Sequence, residues 1–280
     1  MHTFHSEPTR EAALQAGVGK RADRLTVAYH SPDVEIGLAS RGVNLLAGPI
    51  TSEVFIDGAA ADSRGDWRSV CWHVDDDGYY LELQLCGRSL HVDRQIFLSR
   101  PGRFAILADS VMAPSAGRID YRMNLPIADG VSVELDGATR ACRLRAAGSA
   151  ARVFPLGLPQ DRVHSAAGHC SVKSERLELT QAGAGCRLYV PLAFDWHPQR
   201  RHAAAEWRSL TVTELGEIVN ADRAVGFRLR LGNHQLLIYR SLHLTHEPRA
   251  VLGHHTRHES VIGEFNAAGE VVPLVMVEVE

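Results

Sequence analysis

Runs in which every second residue is apolar, broken by tight-turn dipeptides, occupy most of this chain, and almost no stretch keeps a helical period. Successive side chains of a strand point to opposite faces, so such runs dictate strands, and the turns between them set the register. The clearest is the relay from Tyr79 to Val111. Tyr79, Leu81, Leu83 and Leu85 alternate with Tyr80, Glu82 and Gln84; Gly87-Arg88 turns the chain; Leu90, Val92, Ile96 and Leu98 alternate with His91, Asp93, Gln95 and Phe97. Pro101-Gly102 turns it again, and Phe104 to Val111 completes a meander. Asp77-Gly78, Asp136-Gly137, Gly232-Asn233 and Ala268-Gly269 are further turn signals. This punctuation predicts about twenty strands, too many for one small sandwich. The expectation is an all-β fold, a large antiparallel two-sheet supersandwich, forming a single domain over residues 25–280 behind a polar N-terminal lead over residues 1–24. Helix is expected only as a turn near Glu11 to Ala16 and another within the loop Asp195 to Trp207.

Composition excludes several functions. A formal charge of −3 with only 6% aromatic residues offers neither a phosphate-tracking surface nor a stacking platform, so no nucleic-acid partner is expected. No stretch approaches the roughly 18 uninterrupted apolar residues of a membrane span, and the first residues lack a signal-peptide core, which predicts a cytoplasmic protein with no membrane partner. Cys71, Cys86, Cys142, Cys170 and Cys186 are odd in number and never at ligand spacing; they read as buried free thiols. Asp75, Asp76 and Asp77 read as a hairpin turn rather than a calcium loop.

The polar residues that sit oddly are the functional candidates. Arg94 and Arg240 share the parity of apolar neighbours on their strands, so each must be paired or must line a polar cavity. One reading ties them to carboxylates; the other makes them anchors for an anionic sugar, because a planar fork of donors suits carboxylates and sulfates. His243, His246, His254, His255 and His258 cluster near the C-terminus, and His-x-x-His-Glu occurs at His243 to Glu247 and at His255 to Glu259. That spacing presents ligands on one face only if it lies on a helix, so neither a metal nor another cofactor is expected. The loop residues Asp195, Trp196, His197, Arg200, Arg201, His202 and Trp207 have two readings: an exposed indole stacks on a sugar ring while charged groups bind its hydroxyls, or both tryptophans pack under the loop and the charges only solvate it. Tyr121, Arg122 and Asn124 add polar contacts from another strand.

The segment LHVDRQIFLSRPGRFAILADSV, followed by RIDYRMNLPI, resembles the C-terminal β-domain of the heparinase II/III-like polysaccharide lyases, and His91 and Arg94 match its pattern. The resemblance implies a supersandwich of the kind galactose mutarotases also use. Those lyases carry an α-helical toroid that supplies the catalytic tyrosine and most of the substrate groove, and this chain has no room for one. A β-domain alone would lack the acid and base that β-elimination needs. The leading expectation is therefore a non-catalytic carbohydrate-recognition protein that binds a glycan through Trp196, Arg200, Arg201 and the histidines. A sugar-processing enzyme using His243 or His255 with Glu259 as an acid–base pair remains open, as do a structural subunit and a homo-oligomer.

Overall fold

The computed structural model describes residues 3–87 and 90–278, so Arg88 of the expected Gly87-Arg88 turn lies outside the described residues. The described chain is all-β, with helix confined to 3-10 turns at Gly19–Arg21 and Pro198–Arg200. Its strands stack as four layers.

The first layer is a meander of β1 (Phe4–Ser6), β2 (Glu11–Ala16), β3 (Asp23–Ala28), β4 (Val34–Ser40) and the start of β5 (Val43–Ile56). The end of β5 leaves this layer and pairs with β6 (Ala59–Ala60) and β10 (Phe104–Pro126) in the second. There β7 (Trp67–Val74), β8 (Gly78–Cys86) and β9 (His91–Ser99) lead into β10, which runs antiparallel to the long β15 (Arg176–Asp195). Beyond it lie β13 (Ser149–Pro155), β12 (Cys142–Ala146) and β11 (Ser132–Leu135), with β14 (Gly168–Lys173) beside the other half of β15. The third layer orders β16 (Ala205–Leu210), β19 (Ala224–Leu231), β20 (His234–Ser241), β23 (Ser260–Phe265) and β24 (Val271–Val277). The fourth orders β18 (Glu217–Ile218), β17 (Val212–Glu214), β21 (Arg249–Val251) and β22 (His254–Thr256).

Two strands show why the layers multiply. In β10, Ala105, Leu107 and Val111 face the first layer while Phe104, Ile106 and Ala108 face the third. In β20, Leu236 and Ile238 face the second layer while Leu237 and Tyr239 face the fourth. A strand buried on both faces reads as a continuous apolar run, and such runs require a covering sheet on each side. The expected pair of stacked sheets is present and carries two further layers.

Three expectations are corrected. The N-terminal lead is built into the first sheet: Ala12, Leu14 and Ala16 of β2 alternate into the core, so burial overrides the helical preference of an alanine-rich segment. The turn in the 195–207 loop is a single 3-10 turn, and the chain re-enters a sheet at Ala205, with Trp207 buried and its indole donating to the Leu158 carbonyl. Arg94 and Arg240, offered as glycan anchors, are each 1% exposed and held by acids. Arg94 forks onto its cross-strand neighbour Asp109 at 2.8 and 2.7 Å, with Trp67 beneath the guanidinium. Arg240 reaches Glu82 at 2.7 Å and Glu259 at 2.8 Å. The parity argument for their burial holds, and what they bind is the fold itself.

Candidate functional site

At its carboxyl end β15 runs beside β13, and the chain leaving it folds back along the β12–β13 hairpin. Arg152 of β13 is the cross-strand partner of Asp195 and donates to the carbonyls of Arg200 and Ala203 at 3.1 and 2.7 Å, which pins the returning segment to the hairpin. Arg200 closes it from behind, with Nε donating to Asp195 Oδ1 at 2.9 Å. Between hairpin and segment lies a cleft of about 410 Å³, adjoined by a second depression of about 550 Å³; Arg143, Arg152 and Arg201 line both.

The cleft is strongly cationic. Arg41, Arg143, Arg145, Arg152 and Arg201 line it, while its acids are already engaged, Asp195 by Arg200 and the neighbouring Glu134 by Arg145 at 2.8 Å. Register puts Arg143 directly opposite Arg152, a like-charge pair that destabilises the hairpin unless an anion comes between. Burial, reinforced by the Arg143 charge and opposed by Asp195, holds the Arg152 pKa below its ordinary value. Burial raises the Asp195 pKa against the opposing pull of Arg200, and burial with the Arg200 charge lowers that of His197. Trp196 Nε1, His197 Nδ1 and Ser149 Oγ are buried among the lining residues without a hydrogen-bond partner among the described residues.

Of the residues singled out in sequence, the structure brings Asp195, Trp196, His197 and Arg201 into the lining, with Arg200 behind them. Trp196 is 5% exposed and packs into the core, so it offers the cleft no ring face. The other candidates lie elsewhere. Arg122, paired with Glu53 at 2.9 Å, and Asn124 sit at the opposite end of β15 from Asp195. His91 is at the end of the β8–β9 hairpin. His243 is exposed and bonded to the Leu244 carbonyl, His255 is exposed on β22, and Glu259 serves Arg240, so no acid–base pair is assembled from them. Among the described residues no group of three or more His, Cys, Asp or Glu could hold a metal. Sequence reasoning passed over Arg41, Arg143, Arg145, Ser149 and Arg152. The signal for three of them was the alternation Arg143-Leu144-Arg145 facing Arg152 across a short hairpin.

Comparison with solved structures decides the fold. A heparan sulfate lyase from Pedobacter heparinus matches over 85% of this chain and 42% of its own, at 12% identity and a TM-score of 0.58. The fold is that of a heparinase-like β-domain. A heparinase III matches over 84% of this chain and 42% of its own at 12% identity (TM-score 0.55), and a heparinase III with methylated lysines over 84% and 41% at 10% identity (TM-score 0.54). The chain thus spans about two fifths of the length of these heparinase-type structures. No protein-family profile matches it, and no curated protein matches it in sequence.

Proposed function

We propose that this heparinase-like β-domain recognises an acidic glycan in the cleft between the β12–β13 hairpin and the segment 195–203. The observation that carries the reading is the cross-strand pairing of Arg143 with Arg152 beside Arg41, Arg145 and Arg201. Guanidinium forks bind carboxylate and sulfate oxygens in a fixed geometry. The fold is shared with an enzyme named for heparan sulfate, an acidic glycan, which supports the same ligand class. The role in this reading is recognition.

Calorimetric titration with a uronate polysaccharide, a sulfated one and a neutral one tests this. The acidic polymers should bind and the neutral one should not. Arg201→Ala and Arg41→Ala, both at exposed positions, should weaken binding roughly tenfold at low salt and less at high salt, because exposed charges are screened. Equal binding of all three polymers, or none by any, would overturn the reading.

A further inference from the structure

A second constellation lies at the end of the β8–β9 hairpin. His91 and Asp93 are two residues apart on β9 and so share a face. Cys86 is the cross-strand partner of His91, Gln84 that of Asp93, and Arg68 on β7 that of Gln84. Register therefore gathers five polar side chains on one face, and the distances are those of a working group. Cys86 Sγ lies 3.4 Å from His91 Nδ1, and His91 Nε2 lies 2.8 Å from Asp93 Oδ1. Arg68 Nη2 donates to the sulfur at 3.5 Å and to Gln84 Oε1 at 2.7 Å, while Gln84 Nε2 donates to Asp93 Oδ1 at 3.3 Å. The thiol also lies 3.4 Å from Gln84 Oε1. Asp93 Oδ2 is 3.7 Å from the buried Arg240, which fixes the far end of the group to the network of Glu82 and Glu259.

A nucleophile within reach of a base, and that base oriented by a carboxylate, is the arrangement that activates weak nucleophiles on unrelated folds. Here the carboxylate accepts a hydrogen bond from Nε2–H, which leaves Nδ1 facing the sulfur as an acceptor. Of the five cysteines, Cys86 is the exposed one; Cys142 and Cys170 are buried, and Cys71 and Cys186 half-buried. We propose that Cys86 is a nucleophilic thiol, with His91 as its base and Asp93 as the positioning residue, and that it exchanges with low-molecular-weight disulfides of the glutathione type.

In the exchange His91 Nδ1 takes the thiol proton and the Cys86 sulfur attacks one sulfur of the small disulfide. A new S–S bond forms to Cys86, the original S–S bond breaks, and the departing thiolate takes the proton back from His91 as a free thiol. The products are a mixed disulfide on the protein and one small thiol, and no other oxidant is consumed. Arg68 faces the sulfur from β7 and stabilises its negative charge during attack. The His91 pKa lies above its ordinary 6.5 because Asp93 accepts its hydrogen bond, an effect that burial and the charges of Arg68 and Arg240 oppose.

The test uses the intact protein, with site-resolved mass spectrometry after exposure to iodoacetamide and, separately, to oxidised glutathione near neutral pH. Cys86 should be alkylated at least roughly tenfold faster than Cys71, Cys186 or free cysteine, and should acquire the glutathionyl group. His91→Gln should slow Cys86 by a similar factor while Cys71, as a monitor of the fold, reacts at an unchanged rate. In Asp93→Asn the His91 inflection of the rate–pH profile should move down, a change that loss of packing alone would not produce. The proposal is overturned if native Cys86 reacts no faster than free cysteine, a comparison that needs no variant, or if His91→Gln leaves its rate unchanged.

Discussion

A guanidinium removed from water is stabilised only by the partners it meets. Arg94 meets Asp109, which is fully buried and also receives the Tyr121 hydroxyl. Arg94→Met would leave that carboxylate with its charge uncompensated, so we expect a loss of about 3–5 kcal/mol. Arg94→Met combined with Asp109→Leu should recover most of it, because an apolar pair of similar volume needs no desolvation. Urea unfolding of the two variants checks this; equal instability in both would mean that packing around Trp67, not charge, sets the loss. The same logic disqualifies Trp196→Ala as a clean probe of binding. At 5% exposure the indole belongs to the core, and its truncation should cost about 3–5 kcal/mol.

At the scale of elements, the segment 195–204 is held by the β12–β13 hairpin on one side and the β19–β20 turn on the other. Gly232 donates to the Ala204 carbonyl at 2.9 Å, and His234 packs against Phe104 with ring centroids 5.9 Å apart. Burial, aided by the charges of Arg200 and His197, lowers the His234 pKa to about 4. A histidine that is neutral when folded takes up its proton more readily when unfolded. Its contribution is therefore fully present above the ordinary 6.5 and is lost as pH falls from there through about 4. Urea midpoints measured across that window should fall more steeply for the native chain than for His234→Gln, and parallel curves would refute the assignment. The hairpin carries the opposite kind of trade. Arg143→Ser relieves the repulsion with Arg152 and should stabilise the free protein by up to about 1 kcal/mol while weakening acidic-glycan binding. Unfolding and calorimetry on the one variant test both halves.

At the scale of the whole molecule, stability depends on layers that each cover a neighbour. Leu14, Ala12 and Ala16 of β2 close the core between the first and second layers, and β2 also pairs along β3. A chain cut before Asp23 should lose cooperative unfolding and aggregate, because it opens that core and bares a paired edge at once. A single sharp urea transition in the shortened chain would show that β1 and β2 are dispensable.

Much of this was legible along the chain. Alternation and turns dictated the meander from Tyr79 to Val111, since a strand's period of two and the residues that tolerate a tight turn are local properties. Parity alone placed Arg94 and Arg240 in the interior. Which acid each would meet was legible for neither: Glu82 and Arg240 lie 158 residues apart and are joined only because the third layer packs on the second. Ala12 to Ala16 became a strand for the same reason, a partner edge outweighing a weak local preference. The cleft is the clearest case, for Arg41, the hairpin residues Arg143 and Arg152, and Arg201 come from three segments far apart in sequence. Local periodicity determined the strands and the inward faces, and the stacking of distant strands decided which charges came together.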